Sequence, residues 1–276
     1  MKWLQAFRNY FPEHKYAINS KLLGDKAELA WSNLGYWQAD TSSYPQACQA
    51  LADQLAQAID LNKKDRLLDI GCGQGASLVH WHSIYQIQQM SAVEMQSACV
   101  THLQKKLAST VDIHCGSFLN LKAIFPQKTF DAVLCIDAAY HSPLNAFLFS
   151  MHSVLNSKGR IGFHYLMWSD KYQDLNTWQK LRYQALLKAA DVNIGHLLRQ
   201  TDLQHSLEHF EFQNIHIQDM SLEVFAGFEN YVATDLNSKI QSQGMDAFKI
   251  RMTAKLCGVL YQEGMVRYVQ ITAQKA

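Results

Sequence analysis

The stretch Arg66-Leu67-Leu68-Asp69-Ile70-Gly71-Cys72-Gly73-Gln74-Gly75-Ala76-Ser77 limits the possible folds more than any other part of the 276-residue chain. A short apolar run breaks there into three alternating glycines and then into a helical pattern. It reads as a buried strand, a tight turn and the start of a helix. Glycine takes positive φ without steric cost and lets a ligand approach the backbone with no Cβ in the way. The helix start adds N–H groups that have no partner inside the helix. A turn of this composition is suited to holding a nucleotide.

Gly71, Gly73 and Ala76 satisfy the G-x-G-x-x-G/A fingerprint of dinucleotide sites, so a nicotinamide cofactor and NAD(P)-dependent oxidoreduction stay open on the glycines alone. Asp69, two residues before the first glycine, points elsewhere. A carboxylate in that turn repels a pyrophosphate and suits a ligand carrying an ammonium and a sulfonium, as S-adenosyl-L-methionine does. The next acidic landmark is Glu94, after the apolar run Met90-Ser91-Ala92-Val93 and about 20 residues beyond the glycines, where a ribose-binding carboxylate belongs. Leu68-Asp69-Ile70-Gly71-Cys72-Gly73-Gln74-Gly75, followed by Glu94, resembles the class I S-adenosylmethionine-dependent methyltransferases, in particular those acting on small molecules. That resemblance implies a cofactor held by Asp69, Gly71, Cys72, Gly73, Gly75, Glu94 and Met95. It also implies contacts from Ser117 and Phe118 to the adenine and from Asp137 near the reacting end. Ser117 departs from the aspartate common in the family at that position, although its hydroxyl can still accept a hydrogen bond.

From residue 66 onward strands alternate with helices: 66–70, a helix over 75–86, 90–95, a helix over 96–109, 111–115, 130–137, a helix after Pro143 and a strand over 160–166. This alternation predicts a doubly wound α/β architecture with a parallel, Rossmann-like sheet. In such sheets ligands sit at the carboxyl ends of the strands, where Asp69, Glu94, Ser117 and Asp137 all fall. After Trp168 the pattern turns helical over 171–190 and 201–210, then gives a strand candidate at 214–218, a helical block over 223–262 and a last strand at 266–271. The resemblance implies that these two strands close a seven-stranded, mostly parallel sheet as an antiparallel pair, with the helical blocks as lid insertions. The expected organisation is an N-terminal helical arm over 1–60, a cofactor-binding core over 61–168, and lid plus last strands over 169–276, all in a single domain. Trp3, Phe7, Tyr10, Phe11, Tyr16, Trp31, Tyr36 and Trp37 are too many aromatics for a solvated tail and are expected to pack. In several small-molecule methyltransferases a Gly-Tyr-Trp segment lies over the cofactor. The resemblance therefore suggests that place for Tyr36 and Trp37, whose rings would add a cation–π contribution; pinning the arm to the core is the alternative role.

Hydrophobic residues make up 48% and charged residues 18% of the sequence, which fits a globular chain. A net charge of +1 with no run of Lys or Arg gives no electrostatic footprint for nucleic acid or an anionic membrane, so a small-molecule partner is expected. Six cysteines without C-x-x-C spacing read as free thiols in a reducing compartment. The segment 1–19 lacks the apolar run of a signal peptide, and no later run approaches 20 apolar residues, so the expectation is a cytoplasmic protein.

Asp137-Ala138-Ala139-Tyr140-His141 supplies the catalytic candidates. His141 can take a proton near neutral pH, and Tyr140 can donate a hydrogen bond to the substrate; helix support and packing are their alternative roles. The segment differs from the Asp/Asn-Pro-Pro-Tyr/Phe of nucleic-acid and protein amino-methylating enzymes, because alanines replace both prolines. His205-Ser206-Leu207-Glu208-His209 matches the H-x-x-E-H pattern of inverted zinc peptidases and keeps that rival open, although no metal is expected. Trp168, Tyr172, Trp178, Tyr183, Phe210, Phe212, Phe225, Phe228, Tyr231 and Phe248 suit either a partly apolar substrate or the lid's own core. Methylation of O, N or C stays open, as does a binding protein that keeps the fold without catalysis.

Overall fold

The computed structural model describes residues 19–236 and 244–276. Trp3, Phe7, Tyr10, Phe11 and Tyr16, expected to pack, lie outside the described residues.

One sheet organises the molecule. β1 (Arg66–Ile70), β2 (Gln89–Glu94), β3 (Asp112–Cys115), β4 (Phe130–Cys135) and β5 (Leu155–Trp168) are parallel, and β7 (Phe212–Asp219) and β8 (Val266–Lys275) run antiparallel at one side. The order is β3-β2-β1-β4-β5-β8-β7. The expected seven-stranded arrangement with an antiparallel closing pair is therefore present. A two-residue strand, β6 (Leu198–Arg199), which the sequence pattern is too short to reveal, adds an eighth by pairing with Met167 and Trp168.

The central strands are buried on both faces, which explains their continuous apolar runs: Leu67, Leu68, Ile70, Ala132, Val133 and Leu134 are all fully buried. α1 (Tyr44–Ala58) starts with Pro45 in its first turn and lays Tyr44, Ala47, Cys48, Leu51, Ala52, Leu55 and Ala56 inward. α2 (Ala76–Ser83), α3 (Ser97–Leu107), α4 (Leu121–Ile124) and α5 (Leu144–His152) are the crossovers of the parallel half. The expected strand start at Arg160 is corrected to Leu155. Phe130 pairs with Leu155 and Ala132 with Arg160, so Ser157-Lys158-Gly159 bulges out within β5, with Lys158 at φ 61°.

The helical segments after β5 are more broken than periodicity suggested. Over 171–190 a 3₁₀ turn at Asp170–Asp174 precedes α6 (Thr177–Ala189), which starts at a capping box of Asn176 and Gln179. α7 (Gln200–His209) leads into β7. The block expected at 223–262 divides into a π-helical segment Leu222–Ala226, α8 (Gly227–Tyr231), a second π-helical segment Val232–Leu236, and α9 (Met245–Glu263). The widened turns fall where the chain meets the N-terminal segment. A Cβ on Gly227 would stand 2.4 Å from Cβ of Trp37. Most of the aromatics assigned to the lid are its core: Trp168, Tyr183, Phe225 and Phe228 are buried in one cluster with α1 and α9, and Phe212 is buried beside α5. Trp178 and Phe248 are exposed. All six cysteines are free thiols. Among the described residues no helix is long and apolar enough to cross a membrane.

Candidate functional site

The glycine turn leaves β1 with Gly71 at φ 72°, Gly73 at 54° and Gly75 at 90°. At two of these positions a side chain would also force a neighbouring side chain to shift. A Cβ on Gly73 would lie 2.9 Å from Oγ of Ser32, and one on Gly75 would lie 2.2 Å from Cδ2 of Leu103. Glu94, at the end of β2, fastens the turn: its Oε2 accepts the Gly73 N–H at 2.9 Å and its Oε1 accepts the Gln96 N–H at 2.9 Å. Each carboxylate oxygen keeps a further lone pair for a ligand hydroxyl. Asp69 is 1% exposed and accepts the Trp81 indole N–H at 2.7 Å. Burial pushes its carboxyl up to about 6, opposed by hydrogen bonds from Ser77 and Trp81.

Above the turn lies a cavity of about 360 Å³ at the carboxyl ends of the parallel strands. Asp69, Glu94 and Asp137 bring three carboxylates to its wall, and among the described residues no lysine or arginine lines it. Gly71, Cys72, Gly73, Met95, Ser117, Phe118 and His141 also line it. The Ser117 hydroxyl accepts the Leu119 N–H at 3.2 Å, capping the short 3₁₀ turn that presents Phe118.

Four expected residues lie off this wall. Gly75 is turned to the α3 side, against Leu103. Tyr36 is buried in the α1 and lid cluster, and its N–H donates to Ala47 O. Trp37 stacks on Tyr231 with centroids 4.3 Å apart, and its main-chain N–H donates to Glu223 O. Tyr140 faces inward, and its hydroxyl is committed to Asp137. The expected Gly-Tyr-Trp cover is instead supplied by Ala30, Trp31, Ser32 and Asn33, a few residues earlier. These carry no periodic pattern; the available signal was Asp25, whose buried carboxylate accepts the Ala27 N–H at 3.0 Å and the Trp31 N–H at 2.7 Å and so folds the strap back.

Asp137 follows β4 at φ 52°. Its Oδ1 accepts the hydroxyls of Tyr140 at 2.8 Å and Tyr268 at 2.9 Å, and its Oδ2 accepts the Leu34 N–H at 3.0 Å. Its own N–H donates to Nδ1 of the fully buried His164 at 3.3 Å. Burial pushes the Asp137 carboxyl up to about 6 against those three donors, and burial lowers His164 to about 3. Tyr268 and His164 were not foreseen, because β5 and β8 meet only in the folded sheet. His141 is exposed on the cavity wall, with Nδ1 3.1 Å from Asp191 O and its ring 4.6 Å from that of Tyr140. If Nδ1 carries the proton to that carbonyl, Nε2 is the basic nitrogen of the neutral ring.

The rival zinc pattern falls on the exposed face of α7. His205 and His209 are both exposed, and Glu208 accepts the Gln204 side-chain amide at 2.9 Å. Among the described residues no group of three His, Cys, Asp or Glu is placed to hold a metal ion.

Residues 67–159 match a family model for a methyltransferase domain. The chain is similar to the erythromycin 3''-O-methyltransferase of Saccharopolyspora erythraea, 29% identical over 168 residues, 57% of this chain and 54% of that one. It is also similar to a sterol 24-C-methyltransferase of Neurospora crassa, 24% identical over 209 residues, 72% of this chain and 54% of that one. The chain thus spans about half the length of the curated relatives it matches. Its fold is that of the geranyl diphosphate C-methyltransferase from Streptomyces coelicolor A3(2), with a TM-score of 0.72 at 15% identity, covering 100% of this chain and 99% of that one. Sequence motif, sheet order and these likenesses agree: residues 67–159 carry a methyltransferase domain, and the chain has the fold of the class I S-adenosylmethionine-dependent methyltransferases.

Proposed function

We propose that this chain binds S-adenosyl-L-methionine in the cavity above the glycine turn and methylates a small, partly apolar molecule. The observation that carries this reading is the wall itself, with carboxylates at the ends of three adjacent strands and, among the described residues, no lysine or arginine lining it. Such a wall repels the pyrophosphate of a dinucleotide and favours a ligand with an ammonium, a ribose and a sulfonium. Asp69 would face the positively charged end, Glu94 the ribose hydroxyls, Ser117 and Phe118 the adenine, and Asp137 the reacting end. Gly71, Cys72, Gly73 and Met95 would supply the close backbone and side-chain wall. The bound cofactor supplies an electrophilic methyl carbon. The chain supplies alignment and exclusion of water, through the strap Ala30–Asn33 above and the turn below. His141 would accept a proton when the acceptor arrives protonated. The names of the relatives, which specify erythromycin and a sterol, support a small and partly apolar acceptor.

Thermal melting with added nucleotides tests this. S-adenosylhomocysteine is expected to raise the melting temperature, since it stabilises only the native state, and NAD to leave it unchanged. In the same titration Glu94→Gln should weaken binding by about 1.5–3 kcal/mol, the range for a hydrogen bond to a charged group. A shift with NAD and none with S-adenosylhomocysteine would overturn the reading.

A further inference from the structure

We propose, on the basis of the function just given, that Asp137 with Tyr140, Tyr268 and the Leu34 amide assigns the acceptor as an amine nitrogen rather than an oxyanion. The three donors are two phenols and one main-chain amide, none of them a cation. Among the described residues, the other titratable groups around it carry no positive charge either. His164 takes the Asp137 N–H on Nδ1 and is held neutral by burial, and Cys257, Tyr44, Cys48 and Cys135 are buried neutral groups that feel the Asp137 charge. Asp137 therefore sits on the cavity wall as a carboxylate that is hydrogen-bonded but, among the described residues, has no charge partner in its own shell. Two charged neighbours on that wall, Asp69 and Glu94, are also acidic, and His141 is turned toward Asp191 O. Such a group gains most from a cation in the cavity.

Methyl transfer decides which acceptor keeps that cation in place. The acceptor's electron pair forms the new bond to carbon, the carbon–sulfur bond breaks, and its pair stays on sulfur. Positive charge leaves the sulfur. With a neutral amine it reappears on the nitrogen, so the carboxylate has a partner before and after transfer. With an oxyanion the product is neutral, Asp137 is left unpaired, and the approaching negative charge is repelled by it. The surroundings also favour nitrogen over an alkene carbon. Asn33, His141 and Ser142 line this wall along with Asp137, a polar set that suits an ammonium. An amine that arrives as ammonium must first release its proton to His141 or to water, and then uses the freed pair as nucleophile.

Calorimetric titration of the full chain tests the assignment without a known substrate. Sinefungin, which carries an ammonium-bearing carbon in place of the methylsulfonium, is expected to bind at least tenfold tighter than S-adenosylhomocysteine. Asp137→Asn should abolish that preference while still binding S-adenosylhomocysteine, and Tyr268→Phe should reduce it. In the S-adenosylhomocysteine complex, tetramethylammonium should raise nucleotide affinity several-fold, and neopentyl alcohol, of similar shape but neutral, should not. Failure of both nucleotides to bind would bring down the proposed function. Normal S-adenosylhomocysteine binding with no sinefungin preference, with a preference that survives Asp137→Asn, or with equal effects of the ammonium and the alcohol would overturn the amine assignment alone.

Discussion

His141 stands at the edge of the cavity, with one ring nitrogen against a carbonyl and its ring against Tyr140, an arrangement that serves proton transfer or simple support equally well on geometry. Kinetics separates the two. If His141 is the base, His141→Ala should lower turnover with an amine acceptor by about 10²–10⁴-fold and leave S-adenosylhomocysteine affinity near wild type. The lower inflection of the pH–rate profile, set by a group that must be deprotonated, should disappear with it. A folded variant with near-normal turnover and an unchanged profile would remove His141 from the mechanism. Legibility at this scale followed chain distance. Asp69, Glu94 and His141 could be read because each lies a fixed number of residues from a strand end, and all three line the cavity. Tyr268 could not, since its place opposite Asp137 depends on the register of β8 against β5, where a slip of one residue would send the side chain to the other face.

At the scale of elements, the segment from Asp25 to Trp37 shows why a motif near a site need not be in it. Trp37 stacks on Tyr231, packs against Gly227 and donates through its indole to Leu34 O at 2.8 Å. It fastens the strap whose preceding residues, Ala30 to Asn33, reach the cavity. The aromatic density signalled that this stretch packs. Which residues face the ligand was decided by two backbone-to-carboxylate bonds, Trp31 to Asp25 and Leu34 to Asp137, which leave no periodic trace in the sequence. The block after β7 is helical as expected, but its subdivision leaves no trace in the sequence, because a π-helical turn shifts the apolar repeat that a 3.6-residue period assumes. Trp37→Ala is accordingly expected to act on the fold. It should cost about 2–4 kcal/mol of stability, somewhat less than a fully buried aromatic would, and change S-adenosylhomocysteine affinity only a few-fold once the variant is folded. Chemical denaturation and calorimetry on the same sample would check this. A hundredfold loss of affinity with unchanged stability would place the indole on the ligand instead.

For the whole molecule, the buried titratable groups oppose one another as pH changes. His164 lies on β5 opposite Gln270 of β8 and is held neutral, its pKa lowered by burial from the usual 6.5 to about 3. The unfolded chain takes up that proton below pH 6.5 and the native one does not until about 3. Stability from this group is therefore complete above 6.5 and is lost as pH falls through that window. Asp69 and Asp137 run the other way. Raised by burial from 3.8 to about 6, they carry a penalty above pH 6 that is relieved as pH falls toward 3.8. Acid should therefore destabilise the wild type less than His164 alone would dictate, and removing the imidazole should expose the difference. His164→Asn keeps an acceptor near the Asp137 N–H and introduces a cavity whose cost does not depend on pH. The stability gap between wild type and variant is expected to shrink by about 3–5 kcal/mol between pH 7 and pH 3, because only the wild type must keep a histidine unprotonated. Denaturant unfolding of both proteins across that range measures it. A gap that stays constant would mean that His164 titrates in the native state near its ordinary value, and that the Asp137 backbone is held by something other than a neutral imidazole.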